Sequence, residues 1–106
     1  MAISYTAGFW TAKEGEEETF IEAWREFAEW ASGFAGVRAL HLLRDVKEPR
    51  RYVSYADWDD IDAIHGWKGS EQFKERIGAV KRHTDEFTAA ELELVTRVEA
   101  RTYAER

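Results

Sequence analysis

The stretch 37–58, VRALHLLRDVKEPRRYVSYADW, decides the fold. Two strand-like runs, Val37 to Val46 and Arg51 to Trp58, flank Lys47-Glu48-Pro49-Arg50, which holds the only proline of the chain and reads as a hairpin connection. Both runs carry apolar residues on both sides. In the first, Val37, Ala39 and Leu43 point one way and Leu40 and Leu42 the other; in the second, Val53 and Tyr55 oppose Tyr52, Ala56 and Trp58. A sheet built on this hairpin therefore has two faces to cover.

Outward from the hairpin, each side supplies one strand and helical sequence. From Ile3 to Thr11, Ile3, Tyr5, Ala7 and Phe9 alternate with Ser4, Thr6 and Gly8, the period-two pattern of a strand. After a turn at Lys13-Glu14-Gly15, the acidic Glu16, Glu17 and Glu18 suit the positive end of a helix dipole. Phe20, Ala23, Trp24, Phe27, Ala31 and Phe34 then recur at three and four, one apolar stripe of a helix that stops at the glycines of Ser32-Gly33-Phe34-Ala35-Gly36. Beyond the hairpin, a short helical piece is expected from Ile61 to Gly66, a longer helix from Ser70 to Glu86, and a fourth strand from Glu91 to Arg101. The order β-α-β-β-α-β is the split, ferredoxin-like arrangement: an α+β fold with a four-stranded antiparallel sheet and its helices on one face.

Helices on one face leave the other uncovered, and here that face is apolar. An exposed apolar sheet face is an interaction surface, and a second copy of the same sheet covers it most simply, because a twofold axis lets a patch meet itself. A homodimer is expected. The 106 residues suit a single domain over 1–106.

The composition removes whole classes of function. With no cysteine, disulfides, thiolate metal sites and cysteine nucleophiles are excluded. The formal charge of −6 opposes nucleic-acid binding. No apolar run nears the roughly 20 residues needed to span a bilayer, so no membrane partner and a cytoplasmic location are expected. Phosphate loops, dinucleotide fingerprints, nucleophile elbows and zinc motifs are absent. Asp57, Asp59, Asp60 and Asp62 lack the glycine and terminal glutamate of a calcium loop, and helix capping explains them better. No metal site is expected.

The run Arg51-Tyr52-Val53-Ser54-Tyr55-Ala56-Asp57-Trp58, followed by Trp67-Lys68-Gly69-Ser70-Glu71-Gln72-Phe73-Lys74-Glu75, resembles the antibiotic-biosynthesis monooxygenase-like domains of the dimeric α+β barrel superfamily. The resemblance extends from Ile3 to about Val98. It implies one of two chemistries. One branch oxidises polycyclic aromatic substrates with dioxygen and no cofactor, the substrate giving up electrons once a base has taken a proton. The other binds and degrades haem, with an Asn on the first strand, a Trp, and an axial His ten residues after that Trp. Trp67 matches the Trp of both. The tenth residue beyond it is Ile77, which has no lone pair for iron, the chain contains no Asn, and Gly8 or a near neighbour takes the strand-one place.

The expected function is thus a cofactor-independent monooxygenase acting on a small aromatic or polyketide-like compound. The alternative is a non-catalytic module that holds a small hydrophobic ligand or haem, with haem degradation disfavoured. Trp67 is the candidate pocket wall, and His41, among apolar neighbours on strand two, or His65, beside the Trp67 segment, the candidate base. Trp24, Phe27, Arg44, Tyr55 and Phe73 are the candidate substrate-binding residues. Each has a structural reading beside the functional one: Trp24 and Phe27 as core stripe, Arg44 as a rim ion pair, His41 as a structural strand histidine. Tyr52 and Tyr55 face opposite ways, so at most one shares a pocket with the helices.

Overall fold

A computed structural model describes residues 3–101. Its elements run β1 (Ser4–Ala12), α1 (Glu17–Ala31), β2 (Val37–Arg44), β3 (Arg51–Trp58), α2 (Ile61–Lys68), α3 (Phe73–Lys81) and β4 (Thr84–Glu93). The strands form one antiparallel sheet in the order β2-β3-β1-β4, as the ferredoxin-like reading requires. Strand three falls on the expected residues, and the core lies between the sheet and the helices.

The alternation in β1 is real, but its sides are the reverse of what hydrophobicity suggests. Ser4, Thr6, Gly8, Trp10 and Ala12 are buried on the helix side, whereas Phe9 of the apolar set stands exposed on the other. In β3 the buried set is Tyr52, Ser54, Ala56 and Trp58. The two strands pair so that small residues adjoin small ones and aromatics adjoin aromatics: Gly8 faces Ser54, Thr6 faces Ala56, and Trp10 faces Tyr52. The large rings pack with Phe20, Phe27, Ile64, Trp67 and Val80 from the helices.

Several expected boundaries are corrected. Strand two ends at Arg44 instead of Val46, because Asp45 turns the chain by accepting hydrogen bonds from the Lys47 and Glu48 amides. A bulge between Val37 and Ala39 breaks their shared side, and Val37 packs against the helix-side core. The left-handed glycine after α1 is Gly36, at φ +91, and it leads into β2; a Cβ there would lie 2.5 Å from that of Ala63. The short helix extends to Lys68, so Trp67 lies within α2 and not ahead of a helix.

The largest correction is at the C-terminal end. The second long helix stops at Lys81 instead of Glu86, and Thr84 to Glu86, expected on that helix, open β4 together with Phe87. The last strand is Thr84–Glu93, not Glu91 to Arg101; residues 94–101 carry no strand despite their alternation. The pairing partner decides this. β1 offers its whole length from Ser4 to Ala12, and the register that stacks Phe87 on Trp10, with ring centroids 4.1 Å apart, consumes the segment before Leu94.

Candidate functional site

Two rows of side chains at the middle of the sheet's helix-side face are small at their centres. Leu42, Ser54, Gly8 and Ala89 form one row; Leu40, Ala56, Thr6 and Glu91 form the next. Where small residues meet, the helices cannot pack down, and a cavity of about 220 Å³ opens above Thr6, Gly8, Ser54, Ala56 and Ala89. Trp10 and Phe87 close one end. Trp24 and Phe27 of α1, Trp67 of α2, and Phe73 and Ile77 of α3 supply the walls. Lys68 and Lys81 stand at the rim over β4, Lys68 bound to Glu91 at 2.9 Å and Lys81 with its ammonium 5.5 Å from the centre of the Phe87 ring.

Trp67 is the centrepiece of the wall. Its ring is 5% exposed and lies against Trp58, Phe73 and Phe27, with centroids 4.9, 4.9 and 5.6 Å away. None of these neighbours offers a strong acceptor, and the Trp67 indole N–H is buried without a hydrogen-bond partner. A native buried donor is seldom left so, because its desolvation is then uncompensated. The other two buried indoles on this face are satisfied. Trp10 donates to Ser54 Oγ at 2.9 Å and Trp58 to Thr6 Oγ1 at 3.1 Å. An indole can only donate, so both hydroxyls act as acceptors there and keep their own protons for another partner. The polar groups of the floor and wall are therefore donors.

Among the expected site residues, the cavity gathers Trp67, Trp24, Phe27 and Phe73. Tyr55 borders it, but its ring lies beyond the sheet, stacked on His41 at 4.5 Å. His41 is exposed there, since its neighbours Leu40 and Leu42 take the helix side; the sheet itself separates this expected base from the cavity. His65 is exposed on α2, 3.6 Å from Glu91 and sharing that carboxylate with Lys68. The Glu91 carboxyl is held below its usual range, chiefly by the Lys68 hydrogen bond, with partial burial opposing. Arg44 lies outside the lining, bonded to the Tyr52 hydroxyl at 3.2 Å and 3.6 Å from Glu18, the rim pairing that was its structural reading. The third histidine, His83, follows α3, is half-buried and meets Glu16 at 2.9 Å.

Sequence reasoning missed Thr6, Gly8, Ser54, Lys68 and Lys81 as site residues. A signal for the floor exists: Thr6-x-Gly8-x-Trp10 and Ser54-x-Ala56-x-Trp58 both place small residues beside a tryptophan on one strand face.

Haem fits poorly here. Ile77, at the place of the axial ligand, lines the cavity, no histidine does, and about 220 Å³ is small for a macrocycle. Among the described residues, no group of three or more His, Asp or Glu stands ready to hold a metal ion. Asp60 caps α2 by accepting from the Ala63 amide at 2.9 Å, and Asp59 pairs with Arg38. No helix among the described residues is long and apolar enough to cross a membrane.

Known proteins agree with this architecture. The antibiotic biosynthesis monooxygenase family model matches residues 5–79. An uncharacterised protein of Bacillus subtilis, YczJ, is 29% identical over 80 residues, covering 74% of this chain and 84% of its own. Among solved structures, a putative antibiotic biosynthesis monooxygenase of Bordetella bronchiseptica superposes with a TM-score of 0.79 at 18% identity, over 91% of this chain and all of that one. A variant of SnoaB, a cofactor-independent oxygenase of Streptomyces nogalater, gives 0.77 at 20% identity, over 92% of this chain and 95% of that one. With its sheet, its helices and most of its length matched, the chain belongs to the antibiotic biosynthesis monooxygenase family.

Proposed function

We propose that this protein is a cofactor-independent monooxygenase that oxidises a small aromatic compound with dioxygen, and that it works as a homodimer. The observation that carries the reading is Trp67: a buried indole whose N–H lacks a partner, set in the wall of an aromatic cavity. A flat substrate stacks against the aromatic walls, and the missing bond needs an acceptor oxygen brought to the edge of the Trp67 ring. The description of SnoaB as a cofactor-independent oxygenase supports the same chemistry.

In that chemistry the substrate supplies every electron. A naphthol and dioxygen give a naphthoquinone and water: one oxygen atom becomes the new carbonyl and the other leaves as water with the two displaced hydrogens. The protein binds the ring, orients it and keeps water from the reacting carbon. Of the two expected bases, His65 is the one proposed: it lies on the helix side, outside the lining and beside Lys68 and Glu91, and takes the proton through a water at the rim.

The dimer reading rests on the uncovered sheet face, where Phe9, Leu43, Val53 and Leu92 are exposed beside His41 and the half-buried Tyr55 on which it stacks. One observation favours a second reading, a binding module without turnover: no His, Asp or Glu lines the cavity. Oxygen uptake with one- and two-ring phenols separates the two. The oxygenase consumes dioxygen and produces a quinone, and Trp67→Phe, which keeps a ring but lacks the N–H, lowers the rate at least tenfold. Ligand binding with no oxygen consumed defeats the oxygenase in favour of the binder.

A further inference from the structure

The charge and size of the cavity specify its ligand more narrowly than the reaction does. The lining contains two cations and no carboxylate, in a chain whose formal charge is −6. Lys68 is already matched by Glu91, while Lys81 makes no ion pair among the described residues. Its ammonium stands over the Phe87 ring at one end of the cavity. Further in, the Thr6 and Ser54 hydroxyls accept from the indoles of Trp58 and Trp10 and so have their own protons to offer. The site is arranged to receive electron-rich oxygen from both directions.

Size sets the second limit. A cavity of roughly 150 Å³ accommodates benzene. The 220 Å³ found here adds room for about a second fused ring, in a cavity that opens to solvent on one side. Gly8 fixes that depth: a Cβ at this position would lie 2.7 Å from Ser54 Oγ and 2.7 Å from Trp10 Nε1, breaking into the hydrogen bond that forms the floor. The Trp10–Ser54 bond lies this low because one residue of β1 has no side chain, and a methyl group there would push it up into the cavity.

We propose that the cavity selects aromatic anions of one or two rings, with Lys81 as the counter-charge and Gly8 as the determinant of size. This rests on the same site as the oxygenase reading but not on turnover. Calorimetric titration under anaerobic conditions tests it with 2-naphthoate, its neutral analogue 2-naphthylmethanol, and the three-ring anthracene-2-carboxylate. The expected result is naphthoate binding at least tenfold tighter than either of the others. Lys81→Met, an exposed substitution, then weakens naphthoate about tenfold and leaves the carbinol unchanged, whereas Gly8→Ala weakens both.

Equal affinity for naphthoate and carbinol in the parent protein overturns the proposal, as does charge discrimination that survives in K81M or tight binding of the three-ring acid. The failures are distinguishable. Lys81-dependent naphthoate binding without oxygen uptake on any phenol leaves this inference standing and removes the oxygenase. Oxygen uptake by a protein that ignores ligand charge does the reverse.

Discussion

The two faces of the sheet are made from the same four strands, yet they have opposite characters. The helix-side face presents Ser4, Thr6, Gly8, Ser54 and Ala56, small or polar residues, between large aromatics, and is buried. The far face presents Phe9 and Leu43, 47% and 52% exposed, and is open. What this teaches is that burial alone does not sort residues by polarity. Beneath three helices the sheet needs hollows that rings can fill and hydroxyls that indoles can bond, whereas the outer face needs a continuous greasy layer only if another surface is to cover it.

The sharpest way to break the contrast is to empty the helix side. Trp58 is fully buried and donates to Thr6, so Trp58→Ala removes a ring and leaves a hydroxyl without its bond. It should cost about 3–5 kcal/mol of folding stability in urea titrations. A loss below about 1 kcal/mol would mean that the aromatic layer is not the core.

The far face is tested by charge. If two copies meet there, Leu43→Lys buries an unpaired ammonium twice, by symmetry, and weakens association by about 3 kcal/mol or more. Folding of the isolated chain should change by only about 0.5 kcal/mol, because the side chain is half exposed already. Light scattering behind size exclusion reads the first quantity and denaturation at low concentration the second. A parent protein that is monomeric at micromolar concentration ends the dimer proposal.

Between these lies Gly8, where the helix side keeps its hollow. Gly8→Ala puts a methyl group within contact distance of both partners of the Trp10–Ser54 bond, at an estimated cost of about 1–3 kcal/mol. Since Gly8 is buried with ordinary strand geometry, the loss comes from crowding and not from backbone strain. An unchanged melting temperature would show that the floor can give.

How much of this was legible depends on how local the deciding physics is. The run Arg51 to Trp58 can be read to the residue, because a proline-bearing turn and a helix-capping Asp60 bound it at either end. β4 cannot, because Leu92, Leu94, Thr96 and Val98 alternate as well as any strand, and only the stacking of Phe87 on Trp10 selects the earlier segment. The site divides in the same way. Trp67 and Phe73 stand out by the resemblance of residues 67–75 to the family, and the stripe of α1 marks Trp24 and Phe27. His41 misleads, because apolar neighbours on a strand belong to the opposite face from the residue between them. Gly8 is marked only by the small residues that alternate with it before Trp10, and Lys81 carries no local mark at all, since a helix-end lysine acquires meaning only when β4 and α3 are brought together.

The smallest effect concerns the rim, where the helix side reaches solvent. Lys68 on α2 and Glu91 on β4 meet at 2.9 Å, with His65 3.6 Å from the same carboxylate, so the pair ties a helix to the edge strand. Glu91 titrates below its usual range, first because Lys68 donates to its carboxylate, and the folded state therefore prefers the ionised form more than the unfolded chain does. A carboxyl group lowered in this way adds stability that is fully present above the unfolded value of about 4.3 and is lost as pH falls through the lower, folded value. Comparing Glu91→Gln with the parent should thus show a gap of about 0–1 kcal/mol at pH 7, narrowing only below about pH 4, and narrowing at high salt at any pH because the pair is partly exposed. A gap that stays constant from pH 7 to pH 3 would mean that the tether works by shape, and that Glu91 leaves the charge of Lys68 unbalanced beside the cavity.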